Sequence, residues 1–339
     1  MAPAGAVWKE GRLKAAEQFA RRHRLQWWEA LPWLAGIAVF FAFPDNLAFA
    51  TSVAIMVLFA LSLDLVLGYA GIVTLGHAAF FGAGAYTVGI LAQHFGWNEP
   101  LSGLAAAALV AGAIGLASGF VVLRTHGLTL LMLTLCTMTL LEQAANMGAE
   151  WTGGFDGMPG LSFQKILGLF PFDVLYFRSQ YLYALAILLG VFALVRTLVY
   201  SSFGQSLTGI RENVRRMHAV GAPVRARLIL AYAMSAALAG LAGGLFAQTT
   251  GYVNLAVLGL ERAAGVMIIL ILGGYGRLYG AVIGAIVYMV LEHLLAKAYP
   301  TAWQLGIGVL LVAVALYVPN GILGLAESLR RRLPGKGAP

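Results

Sequence analysis

The chain has 339 residues, of which 60% are hydrophobic and only 11% charged, far below the roughly 25% charged content usual for soluble domains. Apolar runs near 20 residues recur along its length, as a hydrocarbon layer about 30 Å thick demands, so a soluble core is excluded and an all-α, polytopic membrane protein is expected. The formal net charge of +8 is accounted for by basic residues retained on the cytoplasmic side, without nucleic-acid binding.

Taken in chain order, the apolar segments predict membrane-embedded helices at 31–44, 48–69, 74–94, 101–123, 127–147, 180–200, 228–250, 259–275, 278–297 and 302–325. These make about ten, with eight to ten as the range. Their runs are continuous rather than alternating, which disfavours a barrel. The first is short, because 14 helical residues rise only about 21 Å, and Pro44, Asp45 and Asn46 mark a turn after it. A cleaved secretory signal over 21–50 is the competing reading of "RRHR" followed by "AFA". Two prolines around its apolar part and a second hydrophobic span directly after it favour a retained anchor.

The second span runs into "LVLGYAGIVTLGHAAFFGAGAY" at 65–86, where five glycines and one histidine interrupt 22 residues. Small residues let helix backbones approach inside a membrane bundle, and the same device can shape a route for a solute. Gly76, His77, Gly82 and Gly84 are therefore the first candidates for such a pathway. For His77 a hydrogen bond to a neighbouring helix competes with solute contact. Asp64 lies just before this stretch, and its place near the cytoplasmic boundary suggests that it escapes to water. Cys136, in "LMLTLCTMTLL", reads as a small packed apolar residue, and as the single cysteine it excludes an intrachain disulfide.

The segment 148–179 contains "EWTGGFDGMPG" at 150–160, where four glycines and a proline in eleven residues specify turns. Trp151 and Phe155, with Phe163, Phe170 and Phe172, can seat it on the membrane. The segment 201–226 is the most polar interruption. Leu207, Ile210, Val214 and Met217 recur at three and four residues, predicting one short amphipathic helix with Arg211, Arg215 and Arg216 on its polar side. Ser202 is a possible cap, and "GAP" at 221–223 ends it. Such a helix either rests among lipid phosphates or docks a cytoplasmic partner.

Further on, Glu261 and Arg262 are adjacent and so cannot face one another on a helix. Arg262 has the reach to snorkel to the outer interface, and Glu261 can cap the first turn or line a cavity. Glu292 and His293 read as charges at an accessible helix end. "GGYGRLYGAVIGA" at 273–285 again places glycines at a span junction, which adds Gly273 and Gly274 to the pathway candidates and suggests a re-entrant or broken helix pair. No phosphate-binding glycine loop, metal-ligand spacing or serine–histidine–acid set occurs. Catalytic and metal-binding residues are therefore not expected.

Basic residues orient the chain. Lys9, Arg12, Lys14, Arg21, Arg22 and Arg24 precede the first span, and Arg196, Arg211, Arg215, Arg216, Arg225 and Arg227 fall within 196–227. Arg330, Arg331, Arg332 and Lys336 close the chain. Ten spans put all three groups on one side, so both termini, 1–30 and 326–339, and the 201–226 segment are expected in the cytoplasm and 148–179 outside.

Three separated motifs in order, "LDLVLGYAGIVTLGHAAFFGAGAYT", "TGGFDGMPG" and the stretch from "SSFG" through "RENVRRMHAVG" to "SAALAGLAGGLFA", resemble the LivM-type permease subunits of branched-chain amino-acid ABC importers. "ILGGYGRLYGAVIGA" is a further match, and the likeness covers about 48–325. It implies a non-catalytic permease domain over 31–325 in a bacterial inner membrane, paired with a homologous LivH-type subunit. Two cytoplasmic ABC ATPases, which would use ATP and Mg, and a periplasmic solute-binding protein complete the implied assembly. Leu207, Ile210, Arg211, Val214 and Met217 would couple it to the ATPases. The implied solutes are leucine, isoleucine and valine, although similar permeases serve urea, short amides and other amino acids. Asp64 stands where the family commonly has asparagine, and Tyr275 where smaller residues are common. A freestanding channel, a secondary carrier and a membrane-bound enzyme are the rival classes.

Overall fold

The computed structural model describes residues 31–163, 177–300, 302–317 and 321–324. The expected cytoplasmic termini at 1–30 and 326–339, together with Phe170 and Phe172, lie outside them. The described chain is all-α. Its helices are α1 (Leu31–Ala42), α2 (Leu47–Asp64), α3 (His77–Phe95), α4 (Pro100–Val122), α5 (Leu128–Met147) and α6 (Phe177–Tyr200). Two short helices, α7 (Ser202–Glu212) and α8 (Val214–Ala219), precede α9 (Val224–Thr250), α10 (Leu260–Gly273), α11 (Leu278–Ala298) and α12 (Trp303–Tyr317).

Six helices among the described residues are long and apolar enough to cross a membrane, not the expected eight to ten. They are α2 with its flanking turns (Pro44–Tyr69), α4, α5, α6, α9 and α11. The others fall short for identifiable reasons. Pro44 opens a 3-10 turn just beyond α1, which has 12 residues. Gly274, at φ +99°, ends α10 after 14 residues. α12 has 15 residues. α3 is 19 residues long, but glycines, Gln93 and His94 dilute its apolar content.

The core forms where α9 packs along α3 and α4, while α2 lies between α6, α9 and α11. α4 and α5 keep their outer faces exposed, with Leu109, Phe120, Leu128 and Leu140 uncovered. On α5 only Leu130, Thr134 and Met138 are buried, one residue per helical turn. Cys136 sits off that stripe and is exposed, correcting the packed position expected for it.

Candidate functional site

Two clusters concentrate polar chemistry in this apolar fold. The first is where α2 ends. Its last turn continues as a π-helix, Leu65–Tyr69, a distortion that frequently marks functional positions. The chain then runs without regular structure from Gly71 to Gly76 and re-enters as α3 at His77. Irregular backbone at membrane depth is tolerated only where protein or a cavity surrounds it. Here protein does so. Gly76 donates its N–H to Thr74 Oγ1 at 3.1 Å, and Leu75 donates to Thr134 Oγ1 at 3.3 Å. His77 Nε2 lies 2.8 Å from Ser62 Oγ, whose proton is given to the Phe59 carbonyl at 2.6 Å, so Nε2 is the donor. Ser235 on α9 donates to the Ser62 carbonyl, tying α2, α3 and α9 together.

Asp64 is only 1% exposed and does not escape to water as expected. Its Oδ1 accepts the Gly276 N–H at 2.7 Å across the α10–α11 turn. Gly68 is caught between the two, because a β-carbon there would collide with Asp64 Oδ1 and the Gly276 nitrogen. Arg211 on α7 completes the junction. Its Nη1 donates to the Gly68 carbonyl, its stem covers Gly71, and its guanidinium carbon lies 5.4 Å from the centre of the Tyr275 ring. Gly71 and Gly276 have φ of +74° and +76°, so both turns need glycine for conformation as well as space.

The predicted single amphipathic helix over 202–221 is two helices. Asn213 breaks it with extended backbone, and its side chain accepts the Arg216 N–H at 2.9 Å to start α8. Ser201, not Ser202, caps α7. The apolar stripe is consequently divided. Leu207 and Ile210 are buried within the chain, whereas Val214 is exposed and Met217 half-exposed. A cavity of about 630 Å³ opens beside α7, and Arg124, His126, Arg211, His218 and Arg225 contribute to its lining.

The six pathway candidates with small or imidazole side chains are all enclosed by neighbouring atoms of the chain. A β-carbon at Gly76 would meet the Thr134 carbonyl, at Gly82 the Leu258 side chain, at Gly84 the Gly240 backbone and at Gly273 the Gly280 carbonyl. Gly274 packs against Gly321. Gly76 is the cap of α3 rather than part of it, so it does not share a helical face with Gly84. These glycines bring α3 onto α9 and fold α10 against α11.

The second cluster surrounds Arg262, which the residue pattern sent to the outer interface. Instead it turns inward. Its guanidinium carbon lies 5.6 Å from the Phe81 ring centre and 5.2 Å from that of Phe246, and Nη1 is 3.8 Å from Met56 Sδ. Glu261 is exposed and accepts from Gln304 Nε2 at 3.1 Å. Just beyond the end of α9, Met158 pairs with Val253 and packs on the face left open by Gly89. Trp151 stacks near His94 and Phe95, while Phe155 is exposed. No group of three His, Cys, Asp or Glu is placed to hold a metal among the described residues.

The sequence pattern of a family described as "Branched-chain amino acid transport system / permease component" matches residues 46–316. The chain is 30% identical over 302 residues to the Escherichia coli K12 high-affinity branched-chain amino acid transport system permease protein LivM, covering 82% of this chain and 70% of the relative. It is 29% identical over 140 residues to the Salmonella typhimurium permease protein LivH of the same system, covering 41% and 45% of the two chains. The autoinducer 2 import system permease protein LsrC of Shigella flexneri is 30% identical over 195 residues, 54% of each chain. No solved structure matches.

Proposed function

The chain belongs to the permease-component family of branched-chain amino-acid transport systems, and from that premise we propose that it is the subunit through which an ATP-driven importer passes leucine, isoleucine and valine. It is a non-enzymatic, multi-pass transport subunit. In this reading it sits in a bacterial inner membrane beside a homologous, LivH-type permease, receives solute from a periplasmic binding protein, and is driven by two cytoplasmic ABC ATPases that use ATP and Mg. The 31–325 permease domain then exposes 148–179 outside and 201–226 to the ATPases, with both termini inside.

The observation that supports it most is the inner junction. The basic segment is fastened through Arg211 to Gly68 and Gly71, and Asp64 fastens the same helix end to the α10–α11 turn. A push on α7 and α8 therefore reaches three membrane helices by direct contact. Within the segment, Val214 and Met217 with Arg215 and Arg216 form the docking surface, and Leu207 and Ile210 anchor it. Gly76, His77, Gly82, Gly84, Gly273 and Gly274 then act by holding the pathway helices close.

Purification from native membranes tests the reading. A homologous permease and ABC ATPases should accompany the chain, and the assembly should drive leucine uptake into sealed vesicles when its binding protein is supplied. Recovery of the folded chain alone, or an intact assembly that moves none of the three amino acids, would overturn it.

A further inference from the structure

Among the described residues Arg262 meets no oxygen acceptor, only the Met56 sulfur. Met56 is twelve residues from Gly68 along α2 and its continuing turn, and Arg262 is eleven from Gly273 along α10. At 1.5 Å per residue the guanidinium is therefore about 16–18 Å from the inner junction, roughly half-way across a hydrocarbon layer about 30 Å thick. Ionisable side chains at that depth pair with one another or face a water-filled route. No carboxylate lies within ion-pair distance of Arg262 among the described residues, although Glu292 and Glu261 are close enough to be felt electrostatically. The sulfur of Met56 is a weak acceptor, and the faces of Phe81 and Phe246 offer charge stabilisation but no lone pairs for the remaining N–H groups. None of those nitrogens is sealed from the surface.

The unmet need is a planar anion of the right width. A guanidinium presents parallel N–H donors that match a carboxylate, and the Phe81 and Phe246 rings, whose centres lie 5.7 Å apart, hold it from one side. Met56, Phe81 and Phe246 supply apolar surface around the charge. We propose that Arg262 is the carboxylate receptor of the transport route, binding the α-carboxylate of an amino-acid solute, with the partly exposed Phe246 ring beside its aliphatic part. The assignment rests on the reading of the protein as an amino-acid importer. It concerns the group common to amino acids and not the choice among them.

The test uses the purified importer assembled with its partner subunits but without the binding protein, whose own selectivity would mask the effect. Tritiated leucine and tritiated serine are bound at equilibrium and displaced with 4-methylvalerate, which keeps the carboxylate, or leucinamide, which lacks it. In the unaltered complex the carboxylate should displace the label and the amide should not. Arg262→Gln should weaken binding at least ten-fold and abolish that preference, and Arg262→Lys, which keeps charge without the fork, should fall between. Where Arg262→Gln does not assemble, Arg262→Lys carries the comparison. An unchanged carboxylate-over-amide preference in an assembled variant overturns the proposal, because loss of a merely structural brace leaves that ratio alone. Displacement by leucinamide as strong as by 4-methylvalerate in the unaltered complex overturns it too. Arg262-dependent binding of serine with none of leucine keeps the receptor and overturns the branched-chain reading instead.

Discussion

Arg211 and Arg262 both lie against aromatic rings, and they differ in what the guanidinium does beyond that. Arg211 is fastened to the Gly68 carbonyl and wedged against Gly71 and Tyr275, so its donors serve the fold. Arg262 has two ring faces and a thioether and, among the described residues, no oxygen acceptor. The same residue type thus serves as a tie to the backbone at Gly68 and, in the proposal above, as an open receptor beside Phe246. What separates them is whether a backbone carbonyl is within reach. At the π-helical turn that ends α2, the buried Gly68 carbonyl accepts from Arg211.

Both regions depend on the glycine seam, and breaking it removes the comparison altogether. Gly84→Leu would drive a side chain into the Gly240 backbone. Overpacking ordinarily costs about 1–3 kcal/mol, and here the obstruction is main chain that no rotamer change relieves. Size-exclusion of the tagged protein should show near-complete loss of the assembled peak. Gly190→Leu, which meets nothing within 4 Å, is the matched control and should leave the peak intact. Normal assembly of Gly84→Leu would mean that α3 and α9 do not approach as described.

The anchoring half of the inner junction should be next in sensitivity. Leu207 is fully buried, so Leu207→Glu places an unpaired carboxylate in the core and should lower the yield of folded protein before any partner is added. Val214 is exposed, so Val214→Glu should leave the fold alone and weaken capture of the ATPase. A pull-down normalised to inserted protein distinguishes them. Equal effects of both substitutions on folding would erase the division of the stripe at Asn213.

The Asp64 contact is smaller again. Asp64→Ala leaves the half-buried Gly276 N–H without its acceptor, a loss at the lower end of about 1–3 kcal/mol. Asp64→Asn keeps an oxygen in place and should cost much less. Thermal unfolding of the assembled importer should rank the native protein and Asp64→Asn above Asp64→Ala. A milder Asp64→Ala than Asp64→Asn would show that the carboxylate is not serving as an acceptor.

How much of this could be read from the residues depends on the range of the contact. Composition alone gave membrane helices, and the glycine clusters marked close packing, because a missing side chain is a local fact. The span count was less legible. Gly274 ends α10 after 14 residues, which hydropathy does not register, whereas α3 is long enough but diluted by glycines, Gln93 and His94. The break at Asn213 has a local signal, since Asn is a preferred helix cap, but the apolar spacing runs on across it and hides the break. Asp64 and Arg262 were misplaced for a different reason. Asp64 Oδ1 accepts from a residue 212 positions away, and Arg262 is drawn inward by Phe81 on α3 and Phe246 on α9. Boundary distance describes each residue's own helix and says nothing of those partners.

The finest distinction between the two arginines is the worth of the ring under Arg211. Tyr275 is 47% exposed, and a cation–π contact at such a site contributes about 0.5–1 kcal/mol. Tyr275→Ala should therefore leave assembly intact and lower the unfolding temperature less than Asp64→Ala does. Its consequence should fall on coupling instead. Without the ring, the guanidinium keeps its bond to Gly68 but loses the surface that links α7 to the α10–α11 turn. The ratio of solute moved to ATP hydrolysed in proteoliposomes should drop while hydrolysis itself continues. Tyr275→Phe retains the ring face and should restore the ratio. Failure of Tyr275→Phe to differ from Tyr275→Ala would assign the effect to the hydroxyl, and the inner junction would then owe nothing to the aromatic contact that makes the two arginines comparable.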